Sequence, residues 1–115
     1  MVRTNVGVDK ASRRFIDIIG GADHQATGAD TWEDWDISAL VPAGTIAAQI
    51  SVRNASGTAR VVGMRKNGSA LTRSINLYNT GDRTWTTEVD ANRVLEIYVA
   101  TAVAGFYFNA LGYWI

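Results

Sequence analysis

The chain has 115 residues, the length of one domain, and its eleven basic residues balance eleven acidic ones, so it lacks the excess positive charge of a nucleic-acid surface. It has no cysteine, which excludes disulfides and thiolate metal sites, and no apolar run of the roughly 18 residues that a membrane helix needs. Only 19% of residues are charged, against about 25% in soluble domains, and four Trp must be accommodated. Such a surface is expected to be covered in part by a partner subunit, or else to belong to a sandwich rich in Ser, Thr, Asn and Gly. The charge is unevenly placed: residues 1–40 carry four bases against seven acids, a net of −3, and residues 41–115 seven against four, a net of +3. Opposite-sign regions could meet within one fold or between copies of it.

Residues 1–12 have no clean period and are expected to form an N-terminal arm, with one domain over 13–115. No apolar stretch of signal-peptide type follows the first residues. The opening Met is expected of a complete gene product and equally of an added start codon. Arg13 to Ile19 alternates weakly and reads as a strand covered in part on both faces. Residues 20–30, GGADHQATGAD, are loop by composition, and loops of that length are often functional. In Thr31–Ser38, two Trp sit among three carboxylates. Trp32 and Trp35 are an odd offset apart, so in a strand they face opposite sides, one to the core and one outward. Val41-Pro42-Ala43-Gly44 is a turn. Thr45 to Arg53 alternates well, predicting Ile46, Ala48, Ile50 and Val52 inward.

Asn67-Gly68 is the strongest turn signal, predicting a type I′ hairpin between 61–66 and 69–75. Asn79-Thr80-Gly81-Asp82 and Asp90-Ala91-Asn92 are further turns, bracketed by residues of strand character. Phe106–Ile115 closes the chain as an aromatic strand, with Gly112 a candidate bulge. A terminal strand so apolar is expected away from an open edge. The spacing predicts no helix. It gives an all-β, antiparallel two-sheet β-sandwich of about eight strands, jelly-roll-like, with an immunoglobulin-like topology as the alternative.

Little here can carry chemistry. His24 is the single histidine and has no partner at a triad or zinc spacing, so it reads as a loop residue and no enzyme is expected. Asp30, Glu33, Asp34 and Asp36 could offer oxygens to Ca²⁺, but strand geometry puts Glu33 opposite Asp34 and Asp36, so a solvated or inter-subunit acidic patch is preferred and no cofactor is expected. Glu33, Asp34 and Asp36 could instead pair with Arg65 and Arg73 of another copy. Trp32, Trp35, Trp85, Tyr107, Tyr113 and Trp114, with Tyr78, are the aromatics that could stack on sugar rings or fill an interface; core or interface packing is the preferred reading.

The series WEDWDIS, VPAG, VGMRKNGSALTR, VDANRVLEIYVA and a closing GYW resembles small jelly-roll domains of tailed-phage virion proteins, over residues 31–115. Such domains occur as capsid decoration (cement) proteins, head fibres and tail-fibre knobs. The resemblance implies a homotrimer located in the virion, with capsid or fibre proteins as partners; the balanced charge and the lack of a long apolar run add that neither nucleic acid nor membrane is an expected partner. A chain without a stalk looks more like a decoration protein than a whole fibre. The alternative is a receptor- or carbohydrate-binding knob that meets a host-surface glycan.

Overall fold

A computed structural model describes residues 14–101 and 104–115. The expected arm over residues 1–12 lies outside the described residues. Eight strands are formed: β1 (Phe15–Asp17), β2 (Glu33–Asp36), β3 (Ala47–Asn54), β4 (Arg60–Lys66), β5 (Ser74–Leu77), β6 (Asp82–Glu88), β7 (Val94–Val99) and β8 (Phe106–Trp114). They build two four-stranded sheets of order β1-β8-β3-β6 and β2-β7-β4-β5, and every pairing is antiparallel. This is the jelly-roll order, and the described residues hold no helix.

Alternation explains the layering. Along β3, Ala48, Ile50 and Val52 are fully buried while Arg53 is exposed. Along β7, Leu95, Ile97 and Val99 point inward, and along β8 Phe106 and Phe108 do. From the second sheet Val62, Met64, Ile97 and Trp35 meet them in one core. Burying each such side chain contributes about 1.5–3 kcal/mol, which is what holds the two sheets face to face. The closing strand β8 is paired on both sides, by β1 and β3, so its apolar length is not on an edge. Its register against β3 shifts between Gln49 and Ile50, where Leu111 is the additional residue, immediately before Gly112.

Two local expectations are corrected. Ile46 does not point inward: β3 begins one residue later, and Ile46 is 41% exposed at the end of the sandwich, its N–H donated to the carbonyl of Trp114. The turn at Asn67-Gly68 is not type I′. Ser69 donates to the Lys66 carbonyl at 3.0 Å, and of the two central residues only Gly68 has positive φ, at 82°. That is the φ pattern of a type II turn, with glycine at the position that needs it. Asn67 spends its side chain elsewhere, donating to Asp90 Oδ2 at 2.8 Å. The tight hairpin is consequently lost: Ser69 to Arg73 carry no strand, and β5 starts at Ser74.

Asn54, at the end of β3, is fully buried and saturated with hydrogen bonds. Its Nδ2 donates to the carbonyls of Thr58 (2.8 Å) and Leu77 (3.0 Å), and its Oδ1 accepts from Ser56 N–H (2.9 Å) and Ser56 Oγ (2.7 Å). One amide thereby ties β3 of the first sheet to β5 of the second. Asn54→Ala removes the side-chain donor to the buried Leu77 carbonyl and unties Ser56, and is expected to cost about 1–3 kcal/mol, read as a lower urea midpoint at unchanged m.

Candidate interaction surfaces

The predicted aromatics divide by strand parity. Trp35 is buried in the core, 6% exposed, with its ring edge toward Phe108 at 6.4 Å. Trp85 and Tyr113 are partly buried and pack on the same core. These three face inward. Trp32, Tyr107 and Trp114 lie on the outer faces, and Tyr78 is 76% exposed in the turn after β5.

On the outside of the β2-β7-β4-β5 sheet, Trp32 lies over Gly63. A Cβ at residue 63 would sit 2.5 Å from the Arg73 carbonyl oxygen and 2.6 Å from Trp32 Cη2, so the neighbouring backbone and the indole both need glycine there. The Arg65 guanidinium stacks on Trp32 at 4.1 Å from the ring centroid, and the Tyr98 ring stands 5.2 Å away. Arg65 also forms a salt bridge with Glu96, its register partner on β7, and donates to the Leu71 carbonyl. Its charge is thus met within the chain. Arg73, Asp34 and Asp36 are exposed; Asp34 stands opposite Glu96 across the β2–β7 ladder, a like-charge neighbour that the Glu96–Arg65 pair relieves.

The carboxylates between 30 and 36 do not converge. Glu33 accepts from the N–H groups of Thr27 and Gly28, Asp30 from Thr101 N–H at 2.9 Å, and Asp36 from Ser38 N–H at 2.8 Å. The Ser38 bonds hold the Asp36 carboxyl below its ordinary range, as the Asn67 bond does for Asp90. Among the described residues no three of His, Asp and Glu gather as metal ligands.

The long loop earns its length by crossing from one sheet to the other. His24 exchanges both backbone hydrogen bonds with Phe108, at 2.8 Å each, which prolongs the pairing of β1 along the edge of β8. Its imidazole stacks on Trp35, centroids 4.7 Å apart and 5° from parallel, with Nε2 buried and unpartnered. Burial lowers its pKa, and the nearby Glu33 carboxylate opposes this only in part.

The outside of the β1-β8-β3-β6 sheet holds two further groups. Phe15 and Trp114 pack at 4.6 Å, tilted by 58°. Toward the other end of β8, Tyr107 carries the Arg53 guanidinium over its ring at 4.8 Å, at one wall of a shallow recess of about 240 Å³. Asp23, Ser51, Asp82, Thr84 and Asn109 complete that recess. A larger crevice of about 550 Å³ lies at the end of the sandwich near Ile46, Lys66, Glu88 and Asp90.

With this geometry in view, the fold has a counterpart among solved structures. The coat protein of tobacco streak virus matches with a TM-score of 0.50 at 9% identity, over 90% of this chain and 83% of that one. A structure of the tobacco streak virus coat protein dimer aligns with a TM-score of 0.47 at 8% identity, over 90% of this chain and 82% of that one. At such identity the first likeness concerns the fold alone, which it shares. No family model matches the chain, and no curated protein matches it in sequence.

Sequence reasoning did not find the Tyr107 recess, apart from Tyr107 itself. The available signal was parity: 51 and 53, 82 and 84, and 107 and 109 are alternate positions, all polar or aromatic.

Two outcomes follow from this packing. Gly63→Ala is expected to displace both Trp32 and the Arg73 carbonyl and cost about 1–3 kcal/mol or more, with the largest indole N–H shift in NMR at Trp32 and amide shifts at Met64 and Arg73. His24, neutral and lowered in the fold, should make stability fall as pH drops below its ordinary 6.5, because the unfolded chain takes up the proton first; the loss levels off below the folded-state pKa. His24→Phe should flatten urea stability between pH 7.5 and 5. Asp36 and Asp90, lowered from 3.8, add their loss only below that pH.

Proposed function

We propose that this chain is a non-enzymatic structural protein of a virion, a jelly-roll subunit that self-associates as a homotrimer and decorates a tailed-phage capsid. The observation that carries the reading is the β1-β8-β3-β6 and β2-β7-β4-β5 order, an architecture that serves capsid shells. The sequence resemblance supplies the trimer and the phage. Exposed apolar side chains, among them Phe15, Ile46 and Leu111, together with low charge, suit a surface that sister copies or a shell would cover. So does β6, a seven-residue edge strand next to edges of only three and four.

A second reading, a glycan-binding role like that of a fibre knob, is favoured by the recess at Tyr107, where an aromatic wall adjoins hydrogen-bonding side chains.

Sedimentation equilibrium of the purified chain at micromolar concentration is expected to return three times the 12.5 kDa monomer mass. Electron microscopy should then place extra density on capsid shells mixed with it. A monomer that leaves every tested shell bare would sink the structural reading.

A further inference from the structure

The recess on the outer face of β8, β3 and β6 has a composition that defines its ligand. Register brings Arg53 opposite both Tyr107 and Asp82, and Ser51 opposite both Asn109 and Thr84. Asp23 joins from the loop after β1, accepting from Asn109 Nδ2 at 3.3 Å. Among the described residues Arg53 and Asp82 form no salt bridge, although they are register partners; the Arg65–Glu96 pair is the one salt bridge there. Arg53 instead rests on the Tyr107 ring. The site therefore keeps the Arg53 donor fork, the Asp82 carboxylate and two hydroxyls without a partner among the described residues, beside an Asp23–Asn109 pair whose second oxygen and amide carbonyl are also open.

We propose that this recess binds a single neutral pyranose ring, the terminal sugar of a glycan or a free monosaccharide. A guanidinium only donates and a carboxylate only accepts. One small ligand that satisfies both within a few ångströms must carry several groups that do either, which describes the ring hydroxyls of a sugar. The charges at the site, Arg53 against Asp23 and Asp82, leave a net of −1, which repels sialic acid, uronic acids and phosphate. A zwitterion such as a free amino acid could span Arg53 and Asp82, but an exposed ion pair is weakly held in water. The volume, about 240 Å³, falls below the roughly 300–1,000 Å³ of sites for drug-sized ligands, so it suits one ring. Tyr107 and the Arg53 guanidinium stacked on it form one wall, which offers the sugar the donor fork and, at the uncovered part of the ring, an apolar contact for its C–H groups.

This inference rests on the glycan-binding reading and is independent of the trimer. The test is amide NMR of the full chain titrated to millimolar D-glucose, D-galactose, D-mannose and N-acetyl-D-glucosamine, with N-acetylneuraminic acid and glycine alongside. At least one neutral sugar should shift amides at 51–53, 82–84 and 107–109, and the two controls should not. Asp82→Asn, an exposed edge-strand change that spares the core, and Tyr107→Ala should each weaken that binding by about tenfold. Shifts confined to other residues, or unchanged affinity in Asp82→Asn, would overturn the site while leaving glycan binding standing. Tighter binding of the acidic sugar or of glycine would overturn the ligand class. Silence from every neutral sugar would remove both the site and the glycan reading.

Discussion

Six of the seven links between consecutive strands cross from one sheet to the other, and this is the constraint on which everything else in the molecule depends. Neither sheet can form ahead of the other as a set of local hairpins, because neighbours in the chain are seldom neighbours in a ladder. Stability therefore comes from matching two inward faces, with Ile50, Val52 and Phe108 on one side meeting Val62, Met64 and Ile97 on the other. Each crossing also leaves backbone groups at the rim without ladder partners, and these must be satisfied locally. Asn54 does this at one end. Besides its four side-chain bonds, its N–H donates to the Gly81 carbonyl and its carbonyl accepts from Thr80, which helps hold Thr80 at φ 64°. Asp90 does the same at the crossing into β7, accepting from the N–H groups of Asn92 and Val94 while Asn67 donates to its other oxygen.

The same constraint explains what could be read from the amino acids alone. Alternation is a local property, so the inward set of β3 apart from Ile46, the absence of helix among the described residues and the count of eight strands were all legible. So was the opposite facing of Trp32 and Trp35. Register and partner choice are not local. Ser51 and Asn109 are 58 positions apart, and nothing along the chain announces that they face each other. Arg65 shows the cost: its sequence neighbours suggest a free cation beside a turn, while its real partner Glu96 arrives from β7, across two intervening strands. The Asn67-Gly68 turn failed for a related reason. Asn tolerates positive φ, but a contact with Asp90, 23 residues away, employs its side chain instead, and the local signal lost to a tertiary bond.

The two outer faces have different chemical states. On the β2-β7-β4-β5 side, Trp32, Arg65, Glu96 and Tyr98 consume one another: the indole covers Gly63, the guanidinium covers the indole, and Glu96 neutralises the guanidinium. Few polar groups in that cluster await a partner. On the β1-β8-β3-β6 side, the corresponding cation, Arg53, lies on an aromatic ring but leaves the carboxylate opposite it unclaimed. Water satisfies those groups at little cost while the face is bare, and any partner has to replace that water with bonds at least as good. The difference gives the molecule a direction. A face whose charges are already closed gains little by meeting a partner beyond the burial of apolar area, whereas one with unspent donors and acceptors selects partners by hydrogen-bond geometry. If the proposed sugar site holds, the β1-β8-β3-β6 sheet is the side on which recognition is encoded, and the opposite sheet, with its charges already paired, is the side suited to lie against solvent or a flat neighbour.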